Sequence, residues 1–248
     1  VAVDAIQLKI AKGELFALLG TNGAGKTTTI KMLSGLLKPS SGIALIKDLH
    51  CYEDRSAVKE IIGVSPQETA IADHLSIREN LILMGGIQGL KRKQSKDRSV
   101  KLMENLDLED RKDQSKNLSG GLKRRLSIAM ALMGDPQILF LDEPTIGLDP
   151  QSRKAVWEYI ERLKAEKTIL LTTHYLEEAD QLADRIAIMN KGKIIASGTS
   201  EQLKDKLSAD KIVTIKGPGF PNEILKILEQ NSVQFTLQGS SLELVLKE

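Results

Sequence analysis

Residues 20–28, Gly20-Thr21-Asn22-Gly23-Ala24-Gly25-Lys26-Thr27-Thr28, constrain the fold of this chain more than any other stretch. They satisfy G-x-x-x-x-G-K-[ST] without a mismatch. Glycines let backbone N–H groups close on a phosphate, because a Cβ would block the approach and the positive-φ conformations it needs. A helix opening near Lys26 adds unpaired N–H groups and the positive end of its dipole. Lys26 is then placed for the β- and γ-phosphates, and the Thr27 hydroxyl for Mg²⁺. The competing reading is a plain glycine turn between a strand and a helix. The flanks decide for the phosphate loop: Phe16–Leu19 reads as a buried strand before it, and Ile30, Leu33 and Leu36–Leu37 give an amphipathic helix after it.

The remaining pattern alternates strands with helices, which predicts an α/β sheet with an antiparallel edge. Strands are expected at Ile6–Ile10, Leu15–Leu19, Ile43–Ile46, Ile61–Val64, Ile138–Leu141 and Thr168–Leu171, with a hairpin of Arg185–Met189 and Lys193–Ala196 around Asn190-Lys191-Gly192. Residues from about 69 to 133 change character and read as an inserted helical subdomain. Ser76-Ile77-Arg78-Glu79 is a capping box opening its first helix, which Gly85-Gly86 and Gly89 end or weaken. A second helix spans about 96–106, and a third follows Leu118-Ser119-Gly120-Gly121 with Leu122, Leu126, Ala129, Met130 and Met133 as a core stripe. Helices are also expected at Gln151–Leu163 and Tyr175–Leu182. From about 209 a small α+β appendage is predicted: strands at Ile212–Ile215, Val233–Leu237 and Leu242–Leu246 and a helix at Glu223–Leu228, with Gly217-Pro218-Gly219 as a break. The domain boundary is therefore set at 208/209.

Bulk composition narrows the function. A net charge of +2 with interleaved acids and bases does not describe a nucleic-acid binder. The basic runs Lys91-Arg92-Lys93 and Lys123-Arg124-Arg125 read as solvated helix faces. Cys51 is the sole cysteine, so no disulfide framework exists and a reducing compartment is expected. No apolar run approaches the length of a membrane span, and no signal peptide is read at the start. The ends at Val1 and Glu248 are compatible with a longer natural polypeptide.

The acids Asp142 and Glu143 close the apolar run Ile138–Leu141, at the carboxyl end where open α/β sheets bind ligands. Asp142 is placed to hold Mg²⁺ directly or through water, and Glu143 to orient or deprotonate an attacking water. A surface Asp-Glu pair is the alternative. His174 follows another buried run, and both a structural and a catalytic reading of it stand.

Taken together, the phosphate loop, Ser65-Pro66-Gln67, Leu118-Ser119-Gly120-Gly121, Leu141-Asp142-Glu143-Pro144, Gly147-Leu148-Asp149-Pro150 and Thr173-His174 occur in the order used by ABC-type ATPases. They resemble Walker A, Q-loop, signature, Walker B, D-loop and H-switch, over about residues 1–200. Stretches 143–150 and 174–180 are similar to ATP-binding subunits of multidrug or antibiotic-resistance exporters. The resemblance implies a P-loop NTPase core with a mixed sheet and two such domains closing head to tail. Each ATP is then held by Asn22, Gly23, Ala24, Gly25, Lys26, Thr27 and Thr28 of one domain and by Ser119, Gly120 and Gly121 of the other. It further implies Glu143 as general base, His174 on the γ-phosphate, and Gln67 contacting Mg²⁺ or the water and reporting to the membrane partner. Thr27, Gln67 and Asp142 would then be the metal ligands, and Asp149 would line the dimer contact.

The implied assembly is two nucleotide-binding domains, identical or homologous, on a separate transmembrane permease at the cytoplasmic face of the cell membrane. In the family, adenine stacks on an aromatic upstream of Walker A. Phe16 is the only one here and is expected in the core, so the stacking residue is looked for before Val1. Two alternatives are an importer subunit, which shares all the chemistry, and an ABC ATPase acting on nucleic acid or ribosomes. Against the last, only a short helical stretch fits between Gln67 and Ser119, and the chain carries one cassette.

Overall fold

The apolar run Leu15–Leu19 is β1, buried at every position, and the phosphate loop leads from it into α1, Lys26–Leu33. The computed structural model describes residues 1–109, 113–207, 210–217, 219–220, 222–230, 234–238 and 241–247. Contacts divide the chain into two units, Val1–Ser197 and Gly198–Glu248. In the first unit, a short ladder of β2 (Leu45–Ile46) and β3 (Leu49–His50) precedes α2, Arg55–Ile61, and β4, Ile62–Ser65. The helical insertion follows as α3 (Ile77–Ile87), α4 (Arg92–Asn105) and α5 (Gly120–Ala131). The chain returns as β5 (Ile138–Asp142), α6 (Pro150–Lys164), β6 (Thr168–Thr173), α7 (Leu176–Leu182), β7 (Arg185–Asn190) and β8 (Lys193–Gly198).

The main sheet has strand order β4-β5-β6-β1-β7-β8. All pairs from β4 to β7 are parallel, and the hairpin strand β8 forms the edge. The expected α/β core with an antiparallel edge is therefore present. Continuous apolar runs become the central strands because both faces of a parallel sheet are covered. Phe16 and Leu18 pack with Ile30, Val58, Phe140 and Leu170 in one buried cluster. The hairpin turn has two left-handed residues, Lys191 and Gly192, at φ 46° and 83°, the conformation that matches the twist of paired strands.

Several local expectations need correction. Ile6–Ile10 forms no strand, although its alternation is real: Ile6, Leu8 and Ile10 are half-buried while Gln7 and Lys9 are exposed. A strand also needs a ladder partner, and none pairs with it among the described residues. Ile43–Ile46 shortens to Leu45–Ile46. Gly85 does not end its helix. It lets α4 approach, since a Cβ there would lie 2.5 Å from Ser95 Oγ and 2.8 Å from Met133 Cε. The second helix starts at Arg92 rather than near 96. The run Lys123–Arg125 is not a solvated face: Arg124 is buried, and Arg125 donates to the carbonyls of Leu106 and Asp107. The Ser76 capping box is present, with Ser76 Oγ accepting from Glu79 N and Glu79 Oε2 accepting from Ser76 N.

In the second unit, α8 (Ser200–Leu207) precedes an antiparallel sheet of order β10-β11-β9, made of β9 (Asp210–Lys216), β10 (Gln234–Gln238) and β11 (Ser241–Lys247). Helix α9, Asn222–Gln230, packs on β10. The expected boundary residues Ser208 and Ala209, together with Pro218 and Val233, lie outside the described residues.

Candidate functional site

Parallel register brings the separate motifs to one end of the sheet. Leu19 lies beside Thr173, Asp142 beside Thr172, and Ser65 beside Leu141. The phosphate loop, Glu143, His174 and Gln67 therefore all emerge from the carboxyl ends of neighbouring strands β1, β5, β6 and β4, where the crevices of an open α/β sheet lie.

The loop itself is held from behind. Gly20 N donates to Thr173 O, and Gly192 N of the hairpin turn donates to Ala24 O. Glycine is required at position 25, where φ is 110° and a Cβ would come within 2.3 Å of Ala2 O. At Gly20 a Cβ would come within 2.3 Å of Met189 O. Asn22 and Gly23 are exposed, Ala24 is buried, and Thr27 and Thr28 are half-buried. Helix α1 has Gly25 as its N-cap, with no side-chain cap and no acid in its first turn. Its first N–H groups thus carry the positive dipole end toward the loop without an internal anion.

Lys26 is 5% exposed and spends its three donors inside the protein. Its Nζ lies 2.6 Å from Gly20 O, 3.2 Å from Thr21 O and 2.9 Å from Glu143 Oε1. The other oxygen of Glu143 lies 2.7 Å from His174 Nδ1. Glu143 is buried and held at φ 50°, a conformation that is uncommon for a residue with a side chain. Its N–H is fixed by Thr172 O and Oγ1. The Thr172 hydroxyl donates to Asp142 Oδ1 at 2.5 Å, and Thr27 Oγ1 reaches the same oxygen at 3.1 Å. The pair Asp142–Glu143 is thus buried and structured, so the surface reading is excluded.

Thr27 and Asp142 offer hard oxygen donors, which suit Mg²⁺. Among the described residues no group of three or more His, Cys, Asp or Glu could cage a metal alone. A Mg²⁺ at this pair must complete its shell with water and substrate phosphates, which is how that ion is ordinarily held.

The other predicted residues stand apart from this cluster. Gln67 is exposed just past β4, and no hydrogen bond joins its side chain to the cluster among the described residues. Ser119 and Gly120 are exposed at the start of α5, where Ser119 Oγ accepts from Leu122 N at 3.3 Å. Gly121 is buried against α6, and a Cβ there would meet Ser152 Oγ at 2.7 Å. Asp149 caps α6, and hydrogen bonds from Ser152 hold its carboxyl below the ordinary value. None of Ser119, Gly120 and Gly121 touches Lys26, Glu143 or His174 in the contacts of the described residues.

Sequence reasoning missed two buried charges beside the site. Arg124 donates to Pro66 O and Gln67 O, both at 2.8 Å. Glu178, fully buried, accepts from Thr145 Oγ1 at 2.7 Å and from Trp157 Nε1 at 2.9 Å. Helix phase was the available signal: Arg124 shares a stripe with Gly121 and Ile128, and Glu178 shares one with Leu182.

Glu178 Oε2 has no hydrogen-bond partner among the described residues. Burial pushes this carboxyl above its ordinary 4.5, outweighing the opposing effect of Thr173, Thr145 and Trp157, with Glu143 adding repulsion. The unfolded chain ionises Glu178 near 4.5, and the folded chain does so later. Between the two values the folded state holds the extra proton, so this residue's contribution to stability falls as pH rises through that window and is level above it. Glu178→Gln is therefore expected to gain on the wild type in urea midpoint as pH rises above 4.5. A difference that does not change with pH contradicts the buried titration.

Residues 3–146 match the family described as ABC transporter. The chain is 43% identical over 211 residues to the daunorubicin/doxorubicin resistance ATP-binding protein DrrA of Streptomyces peucetius, covering 84% of this chain and 64% of that protein. It is 39% identical over 243 residues to the human phospholipid-transporting ATPase ABCA3, covering 97% of this chain and 14% of that protein. The chain thus spans less than two thirds of the length of either relative. A dimeric bacterial ABC transporter cassette of known structure superimposes with a TM-score of 0.72 at 25% identity, over 80% of this chain and 90% of that one.

Proposed function

This chain belongs to the ABC transporter family, and from that premise we propose that it is the ATP-binding and ATP-hydrolysing subunit that powers an exporter of drugs, antibiotics or similar amphiphiles. The observation that carries the proposal is the series Lys26–Glu143–His174, buried at Lys26 and Glu143, beside the Thr27–Asp142 pair. It combines a phosphate-binding cation, a carboxylate base and an oxygen-donor metal pair at the carboxyl end of one sheet. The cargo class rests on the likeness to DrrA, a daunorubicin/doxorubicin resistance ATP-binding protein, and to ABCA3, a phospholipid-transporting ATPase.

The reaction breaks the β–γ phosphoanhydride bond of ATP and forms a bond from a water oxygen to the γ-phosphorus. Glu143 takes the proton of that water, and His174 orients Glu143 through Nδ1 and serves the γ-phosphate. Lys26 cannot serve the phosphates with its present bonds, because Gly20 O, Thr21 O and Glu143 occupy all three donors. Phosphate binding therefore draws Lys26 from Glu143 and frees the base, so the base is released only where there is substrate to attack. Mg²⁺, when bound at Thr27 and Asp142, supplies neutralisation of the charge on the phosphate oxygens.

Ser119, Gly120 and Gly121 complete the cage from a second subunit, identical or homologous. This accounts for the exposed position of Ser119 and Gly120 at the start of α5, away from the Lys26 cluster. A dimeric relative supports this geometry. Gln67 contacts the metal or water and reports to a separate permease at the cytoplasmic face of the membrane. No helix among the described residues is long and apolar enough to cross a membrane, so transport through the bilayer falls to another polypeptide or segment. Among the described residues between Gln67 and Ser119 the α-helices are α3 and α4, short segments rather than a long coiled coil, which leaves the nucleic-acid alternative unsupported.

Phosphate release from Mg-ATP by the 248-residue chain tests the proposal. Because each site needs a second subunit, activity per molecule is expected to rise with protein concentration and then level off. Activity per molecule that is independent of concentration down to the monomer contradicts the composite site, and absence of hydrolysis contradicts the enzyme.

A further inference from the structure

Helix α5 starts at the exposed Ser119–Gly120 end and runs back along β4, and one stripe of it packs first on α6 and then on that strand and its loop. Gly121 lies against Ser152 of α6. One turn on, Arg124 donates to two successive carbonyls, Pro66 O and Gln67 O. Ser127 Oγ lies 2.9 Å from Ser65 Oγ. At the far end the carbonyl of Ala131 faces Gly63, where a Cβ would come within 2.3 Å.

Arg124 is the costly member of this row. It is 3% exposed, and no carboxylate pairs with it at ion-pair distance among the described residues. Burial pulls its pKa below the ordinary arginine value, opposed by Asp142, Glu178 and Glu143 nearby, and the guanidinium stays a cation. An unpaired buried charge is unfavourable, and an apolar or amide side chain of similar size would pack there at lower cost. What the guanidinium does that those side chains do not is clasp two carbonyls at once with a rigid fork of donors. The clasped residues are the ones that carry the Q-loop away from β4.

We propose that Arg124 is a positioning residue that joins the Gln67 loop to the Ser119–Gly121 helix start, so that a change at Gln67 in one nucleotide site moves the residues that complete the other. The inference rests on the composite two-site reading given above. Gln67 belongs to the site built on its own chain's Lys26, whereas Ser119–Gly121 serve the partner's nucleotide. A rigid link between them makes occupancy of one site felt at the second, which is cooperativity through a shared moving body.

The test is the ATP-concentration dependence of hydrolysis by the full chain, with ATP binding measured separately by calorimetry in a Glu143→Gln background. Wild type is expected to hydrolyse ATP with a Hill coefficient above 1. Arg124→Gln is expected to bind ATP within about twofold of its parent, because Lys26 and Thr27 are untouched, to lose turnover by roughly tenfold to a hundredfold, and to fall to a Hill coefficient of 1. Arg124→Lys, a single point donor, is expected to lie between the two. An Arg124→Gln protein with wild-type turnover and Hill coefficient overturns the proposal. Should Arg124→Gln not fold, Arg124→Lys decides: a wild-type Hill coefficient in that variant overturns it, and a lowered one at unchanged ATP affinity supports it. Failure of the composite site itself shows in the wild type as activity per molecule that does not change with protein concentration, and overturns both readings; concentration-dependent activity with a wild-type Hill coefficient of 1 overturns the link alone.

Discussion

Glu143→Gln is expected to lower ATP turnover by about 10²–10⁴-fold, the usual effect of removing a general base, while leaving ATP binding intact. The geometry makes this substitution unusually specific. A glutamine oxygen still accepts from Lys26 at the 2.9 Å position, and the amide still faces His174 Nδ1. Position 143 keeps its backbone bonds to Thr172, which hold the unusual φ of 50° independently of the side chain. What is lost is the ability to accept a proton from water. Single-turnover hydrolysis separates the two steps: the variant should capture ATP with wild-type affinity and fail to cleave it. Near-wild-type turnover removes Glu143 from the role of base.

Lys26→Ala is expected to act at the earlier step. Hydrogen bonds to charged groups contribute about 1.5–3 kcal/mol each, so losing the lysine from the phosphates should weaken ATP binding by roughly tenfold to a hundredfold or more. The substitution also removes the cation from a carboxylate that is itself 3% exposed. Breaking a buried pair from one side costs about 3–5 kcal/mol, so the ligand-free variant should unfold at lower urea concentration than wild type. Lys26→Ala combined with Glu143→Gln should recover part of that stability without recovering affinity, because the neutral amide no longer needs the cation. Equal destabilisation in the single and double variants contradicts the Lys26–Glu143 pairing.

The parts of the site that lie in short motifs are legible in the amino-acid sequence. Lys26 and Thr27 follow from a glycine spacing that only a phosphate loop requires, and Asp142 and Glu143 from their place at the end of a buried run. What joins them is also legible in outline, since strands that alternate with helices place their carboxyl ends on one side of a sheet. The features that escape are those set by tertiary contact. Ile6–Ile10 has the alternation of a strand and lacks, among the described residues, the partner that would make it one. Gly85 reads as a helix breaker, yet it serves a close crossing with Ser95. Arg124 sits between Lys123 and Arg125, so composition assigns it to solvent, whereas helix phase turns it inward toward Pro66 and Gln67. Glu178 is hidden in the same way beside Glu177. Charge in a sequence is read by type, but burial is decided by phase and neighbours.

The central claim is that residues 20–28 are half of a site whose other half, Ser119–Gly121, comes from a second subunit. The direct measurement is the molar mass of the Glu143→Gln chain by light scattering, with and without Mg-ATP. Captured and uncleaved ATP should double the mass from the 27.2 kDa of one chain, and adding Lys26→Ala should abolish the doubling. A mass that stays at one chain while calorimetry shows ATP bound would contradict the account.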